Sequence, residues 1–297
     1  MHIADFFQKQ KKVLYFFSEL KYNPTIKTPP KERKDWMKMK KGIAMLLALM
    51  LVAVCFAGCG SKKDSDLAYV KDKGKLIVGI TDYAPMDYKD ENGNWTGFDA
   101  EFAQLVAKEL GVEVDFFVLS DWGQKFYELE TKNIDAVWNG MTITEEAKLN
   151  ASVSDAYVIN AQVVVMKADV VGSYTTEESL KSLSFAVESG SAGEEALQGI
   201  GITEYVAVQD QTSAVMEVAA GTADACVIDI TMANAMTGAG TSYDDLAAGM
   251  ALTSEEYGIA FRKDSDLTAK VNEIMKDLIS DGSLPALAEK YGLTLAG

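Results

Sequence analysis

Histidine is almost missing: the single one in 297 residues is His2. Arginine is represented by Arg33 and Arg262 alone, and cysteine by Cys55, Cys59 and Cys226. From residue 60 onward there is no histidine and one cysteine, Cys226. Ser-His and Cys-His nucleophilic machinery and metal sites built on His or Cys pairs are therefore excluded there. An intramolecular disulfide is excluded too, unless Cys59 takes part. Positive charge is scarce in the same stretch. Residues 1–58 hold 11 basic and 4 acidic side chains, whereas residues 59–297 hold 17 and 40, a balance of −23. So acidic a body, with no basic stripe, repels nucleic acid. Proline-rich linkers, low-complexity tracts and internal repeats are also absent from residues 73–297.

What is present begins with "LMLVAVCFAGCGSKK" at residues 49–63. Lys38, Lys40 and Lys41 precede an apolar run over 43–58, 16 residues long. That matches the basic and apolar regions of a secretory signal and is short for a span of about 20 residues. The small pair Ala57-Gly58 stands directly before Cys59. This resembles the bacterial lipobox, whose cysteine is acylated and becomes the mature N-terminus; Phe56 stands where Leu is usual. A plain membrane anchor ending in an unimportant cysteine is the alternative. The expected order is a mis-assigned extension over 1–36, a lipoprotein signal peptide over 37–58 and a lipidated polar tether over 59–72.

From residue 73, short β-branched runs at 76–80, 112–118, 135–138, 162–166, 185–188, 205–208 and 226–230 read as strands. Amphipathic spacers alternate with them. Phe98, Phe102, Leu105, Val106 and Leu110 form one helical stripe, with Asp99 as expected N-cap and Gly111 as stop. Leu267, Val271, Ile274, Met275 and Leu278 repeat the stripe before Gly282. The alternation predicts an α/β fold with largely parallel sheets. A body of this length suits two lobes at least as well as one domain.

Five blocks carry a resemblance: "GKLIVGITDYAPMDYKDENGNWTGFDAEFAQLVAKELG", "DWGQKFYELETKNIDAVWNGMTITEEAK", "FAVESGSAGEEAL", "GTADACVIDI" and "YGIAFRKDSDL". In order and spacing the chain is similar to the polar amino acid class, family 3, of extracellular solute-binding lipoproteins of ABC importers. The resemblance implies a two-lobed periplasmic-binding-protein fold, the type II Venus flytrap. Residues 73–158 plus 257–297 would form lobe 1 and residues 163–253 lobe 2, with two hinge crossovers near 159–162 and 254–257. It implies a small amino acid-like substrate, ABC permease subunits as partner, a membrane-anchored monomer on the outer face of the cell membrane, no cofactor and no catalysis.

Burying an amino acid zwitterion requires an acid for the ammonium and donors for the carboxylate. The resemblance assigns the ammonium to Asp229, which could instead be an ordinary helix cap. It assigns the carboxylate to Asn139, Gly140, Met141 and Thr142 in one lobe, and to Ser191 and Ala192 at a helix start in the other. A strand ending in a turn and a plain helix start are the alternatives. Tyr83 and Trp122 match aromatic walls, or else pack in the core. Asp82 and Asp87 read as solvated, Lys125, one turn after Trp122, as solvated or else pointing toward the cleft, and Cys226 as a buried strand thiol.

One departure stands out. The resemblance places an arginine clamp for the carboxylate five residues after Thr142, where this chain has Ala147; Lys148 is the adjacent candidate substitute. Either an amino acid is held by the Gly140 to Thr142 donors with Lys148 or Lys125, or the ligand is an amine without a carboxylate, served by Asp229 and the aromatic walls. Two rival classes are a carboxylate-dependent dehydratase, which needs two converging acids, and a ligand-presenting sensor.

Overall fold

A computed structural model describes residues 65–297; the extension, the signal peptide and Cys59 lie outside the described residues. Residues 66–72, read as the end of the tether, are instead helical. Ser65 caps Asp66–Lys73 by accepting from the Ala68 amide, and Gly74 ends it in the left-handed conformation. A buried arginine fixes this helix in place. Arg262 donates Nε to Asp66 Oδ1 at 2.9 Å and Nη2 to Asp135 Oδ1 at 3.1 Å.

Two five-stranded sheets follow. The first runs Glu113–Val118, Lys75–Ile80, Ala136–Val137, Ala260–Phe261, Ser152–Val153. Its first three strands are parallel, and Ala260–Phe261 runs against both neighbours. The second runs Val206–Val208, Phe185–Glu188, Ala225–Asp229, Gln162–Lys167, Leu246–Ala251. Again three strands are parallel, and Gln162–Lys167 is antiparallel to both its neighbours. The sheets are thus mixed. The central strands of the second sheet bury both faces: Val163, Val165, Cys226 and Ile228 enter one apolar cluster, while Val164, Met166, Ala225 and Val227 enter another. Period-two alternation with no polar face is why these runs read as continuous β-branched stretches. Between the sheets runs a two-stranded ribbon, Val158–Asn160 antiparallel to Glu255–Tyr257, giving the two crossovers of a two-lobed fold.

The helix Phe98–Leu110 forms as its stripe predicts, with Phe98, Phe102, Val106 and Leu110 buried and Gly111 as C-cap. Its cap differs from the expected one. Gly97 is the N-cap, and Asp99 lies in the first turn with its carboxylate turned inward. That carboxylate accepts from the Gly140 amide at 2.6 Å and the Tyr157 hydroxyl at 2.8 Å. Asp87, read as solvated, is fully buried beside it, and its oxygens meet no donor among the described residues. Burial, then the charge of Asp99, pushes its carboxyl well above the usual range. At the C-terminal end Asp266–Ser280 buries Leu267, Val271, Ile274, Met275 and Leu278, and Ser283–Tyr291 follows. Both return to the first sheet's side, and Ala296 donates to the Tyr157 carbonyl at 3.0 Å. Cys226 is a buried free thiol, its pKa pushed up by burial.

Candidate functional site

A cleft of ≈ 570 Å3, its mouth included, lies where the two sheets face each other. Its walls come from strand ends and the turns after them. Residues 81–83 follow Lys75–Ile80, residues 139–142 follow Ala136–Val137, residues 190–192 follow Phe185–Glu188, and Asp229 ends its own strand.

Asp229 is 3% exposed. Although it is the N-cap of Ile230–Met236, its side chain makes no capping bond. Three amides hold it instead. Asn160 Nδ2 and Gln162 Nε2 donate to Oδ1, the latter at 2.8 Å, and Gln211 Nε2 donates to Oδ2. Burial, then the charge of Glu255, raises the pKa of Asp229 to about 7, against the pull of the amides. Glu188, at the end of the adjacent parallel strand, also lines the cleft and is 4% exposed. Burial, then Asp229 and Asp210, raises it to about 8, with Lys125 and Gln211 opposing.

The lobes touch across this cleft. Tyr83 is buried, and its hydroxyl bonds Thr231 Oγ1 of the second lobe at 2.5 Å and the Tyr257 hydroxyl at 2.6 Å. Lys125 Nζ reaches the Gly190 carbonyl at 3.0 Å, and Gln209 Nε2 reaches the Ser120 carbonyl at 3.1 Å. A β-carbon on Gly190 would stand 2.8 Å from Gly123 Cα, so the backbones nearly touch. This is a closed jaw.

Comparison with known proteins decides what such a jaw belongs to. The family described as bacterial extracellular solute-binding proteins, family 3, matches residues 76–294. The chain belongs to that family. Among its relatives, the L-cystine-binding protein TcyJ of Escherichia coli (strain K12) is 33% identical over 260 residues, covering 84% of this chain and 95% of the relative. The arginine-binding extracellular protein ArtP of Bacillus subtilis (strain 168) is 33% identical over 261 residues, covering 85% and 98%. Among solved structures, a mutant of ArgBP from T. maritima superposes with TM-score 0.71 at 35% identity, covering 76% of this chain and 98% of that one. An ancestral amino acid-binding protein, a precursor of cyclohexadienyl dehydratase, gives 0.70 at 33%, covering 76% and 99%.

In this family 3 solute-binding protein, Tyr83, Trp122, Asn139, Gly140, Met141, Thr142, Ser191, Ala192 and Asp229 all line the one cleft. Lys148 does not. Ala147 faces the cleft, and a single residue further turns the side chain about 100° round the helix. Lys148 therefore points away, pairing with Glu145 at 2.8 Å with half its surface exposed. Lys125 is the opposite correction: read first as solvated, it is 6% exposed and lines the cleft. Its Nζ donates to two backbone carbonyls, Gly190 and Trp122, and sits 4.9 Å from the Trp122 ring centre.

Several donors assigned to a ligand carboxylate are spent on protein acceptors. The Gly140 amide goes to Asp99, Thr142 Oγ1 to Glu255 at 2.8 Å, and the Ser191 amide to the Glu188 carbonyl at 3.3 Å. Asn139 is braced against Thr81 by two bonds. Gly140 has φ +57°, and a β-carbon would fall 2.6 Å from the Tyr83 ring, so close packing of that ring demands glycine. Glu188, Gln211, Asn160, Gln162 and Glu255 were not named from the sequence. Glu188 alone carried a signal, as an acid ending a buried strand directly before "SGSAG".

Proposed function

We propose that the chain is the substrate-binding lipoprotein of an ABC importer, capturing a polar amino acid or related small solute between lobes 73–158 plus 257–297 and 163–253. The observation that carries this is Asp229, a buried carboxylate lining the cleft, held in place by three side-chain amides and without an ion-pair partner among the described residues. Names of relatives that bind cystine and arginine support an amino acid-like ligand. Closure about the residue 159–162 and 254–257 crossovers presents the loaded form to permease subunits. Cys59 supplies the lipid anchor on the outer face of the membrane, and the protein acts as a monomer. No helix among the described residues is long and apolar enough to cross a membrane.

Capture without turnover is the reading for the cleft acids, because amides pin Asp229 in one orientation and the cleft holds no histidine. Mass spectrometry of the small molecule copurifying with the protein, followed by thermal-shift titration with the twenty amino acids and common amines, tests the reading. A ligand that raises the melting temperature and is recovered unchanged supports it. No stabilisation by any of them, or recovery of a converted product, refutes it.

A further inference from the structure

The charges lining the cleft are lopsided: Asp82, Glu146, Glu188, Glu195 and Asp229 against Lys125 alone. Glu146, Glu195 and Asp82 stand at the exposed rim, whereas Asp229 and Glu188 are nearly covered. Neither of these two forms an ion pair with a lysine or arginine among the described residues. Lys125 Nζ already donates to two backbone carbonyls and lies over the Trp122 ring. A ligand carboxylate would enter a negative cleft and find the Gly140 amide and the Thr142 and Ser191 hydroxyls already donating elsewhere. A single ammonium at Asp229 would leave Glu188 buried with only the charge of Lys125, which forms no ion pair with it, to offset its own, and that is costly.

On the reading of this cleft as a solute site, we propose that it selects a small aliphatic dication without a carboxylate, a diamine or guanidino-amine, one positive end meeting Asp229 and the other Glu188. Gln211 donates to Asp229 and also acts on Glu188, lowering its pKa. Trp122 and Tyr83 supply ring surface for the methylene chain and for the cations. The raised pKa values of both acids fit two carboxyls awaiting a counter-charge.

Calorimetric titration of the purified protein with cadaverine, L-lysine, agmatine and L-arginine tests this, because each pair differs only by the carboxylate. Each amine is expected to bind at least about tenfold tighter than its amino acid, the equivalent of about 1.4 kcal/mol for an unpaired carboxylate. Glu188→Gln is expected to weaken cadaverine about tenfold or more. The same substitution should change a monoamine such as butylamine less than about threefold, a split that a structural defect would not produce. Lysine or arginine binding as tightly as its amine overturns the proposal, as does equal weakening of cadaverine and butylamine. A neutral amino acid that stabilises the protein while all four cations fail also overturns it, yet leaves the solute-binding reading standing.

Discussion

Replacing Gly190 by alanine tests whether lobe contact governs capture. The substitution adds one methyl, which would stand 2.8 Å from Gly123 Cα and 3.2 Å from Gly123 N, atoms of the opposite lobe's backbone that cannot rotate aside. Ordinary contact begins near 3.4 Å, so the lobes must part by about 0.6 Å at this point. Lys125 Nζ, 3.0 Å from the Gly190 carbonyl, would then move beyond hydrogen-bond length. A bond to a charged donor contributes about 1.5–3 kcal/mol, so ligand affinity should fall roughly 10- to 100-fold. A second effect must be separated from this one. Gly190 has φ +70°, and alanine there costs about 1–2 kcal/mol whether the jaw is open or shut. Gly221→Ala is the matched control: its φ is +75°, but nothing lies within 4 Å of its β-carbon. Both variants should lose similar stability in urea unfolding, while only Gly190→Ala should lose affinity by calorimetry and remain expanded with ligand in small-angle scattering. Equal affinities for the two variants, within about twofold, would refute the argument that closure depends on this backbone contact.

Three further outcomes are expected. Tyr83→Phe removes the hydroxyl that bridges Thr231 and Tyr257, and it should weaken ligand binding about fivefold, from about 1 kcal/mol, with little change in the unliganded melting temperature; unchanged affinity would contradict this. Arg262→Ala leaves Asp66 and Asp135 with a lost partner, and its urea midpoint should correspond to about 3–5 kcal/mol of lost stability; a loss under about 1 kcal/mol would show the ion network to be idle. Asp229, Asp99 and Glu188 have folded pKa values of about 7, about 7 and about 8, above their ordinary 3.8, 3.8 and 4.5. Between those limits the folded chain holds protons that the unfolded chain has released, so unliganded stability should fall as pH rises from about 5 to 8. Urea midpoints that climb over that range would reverse the sign.

Strands whose both faces are buried were legible, since apolar β-branched runs such as Phe185–Glu188 carry their own pattern. Leu246–Ala251, with Gly249 inside it, and the ribbon strand Glu255–Tyr257 carry no such pattern; their pairing comes from partners far along the chain. The cleft residues were legible through the resemblance to the family, and nine of the residues it named line one cleft. Charged side chains were the weak point. Asp87 and Lys125 look solvated by type, but Asp87 is buried in its own lobe, and the opposite lobe supplies the Gly190 carbonyl to Lys125. Asp99 resembles a cap because it stands at a helix start, yet the Gly140 amide and Tyr157 hydroxyl draw it inward. Lys148 failed by register alone.

The helix Asp66–Lys73 and the final residues pack onto the same lobe: Arg262 grips Asp66, the Leu67 amide donates to Asp266 at 2.9 Å, and Leu295 bridges to Val158. Any leash attached upstream of residue 65 therefore pulls on that half alone. On the proposed lipid anchor at Cys59, tension from the membrane would load that half and leave the other as a free flap on an anchored base.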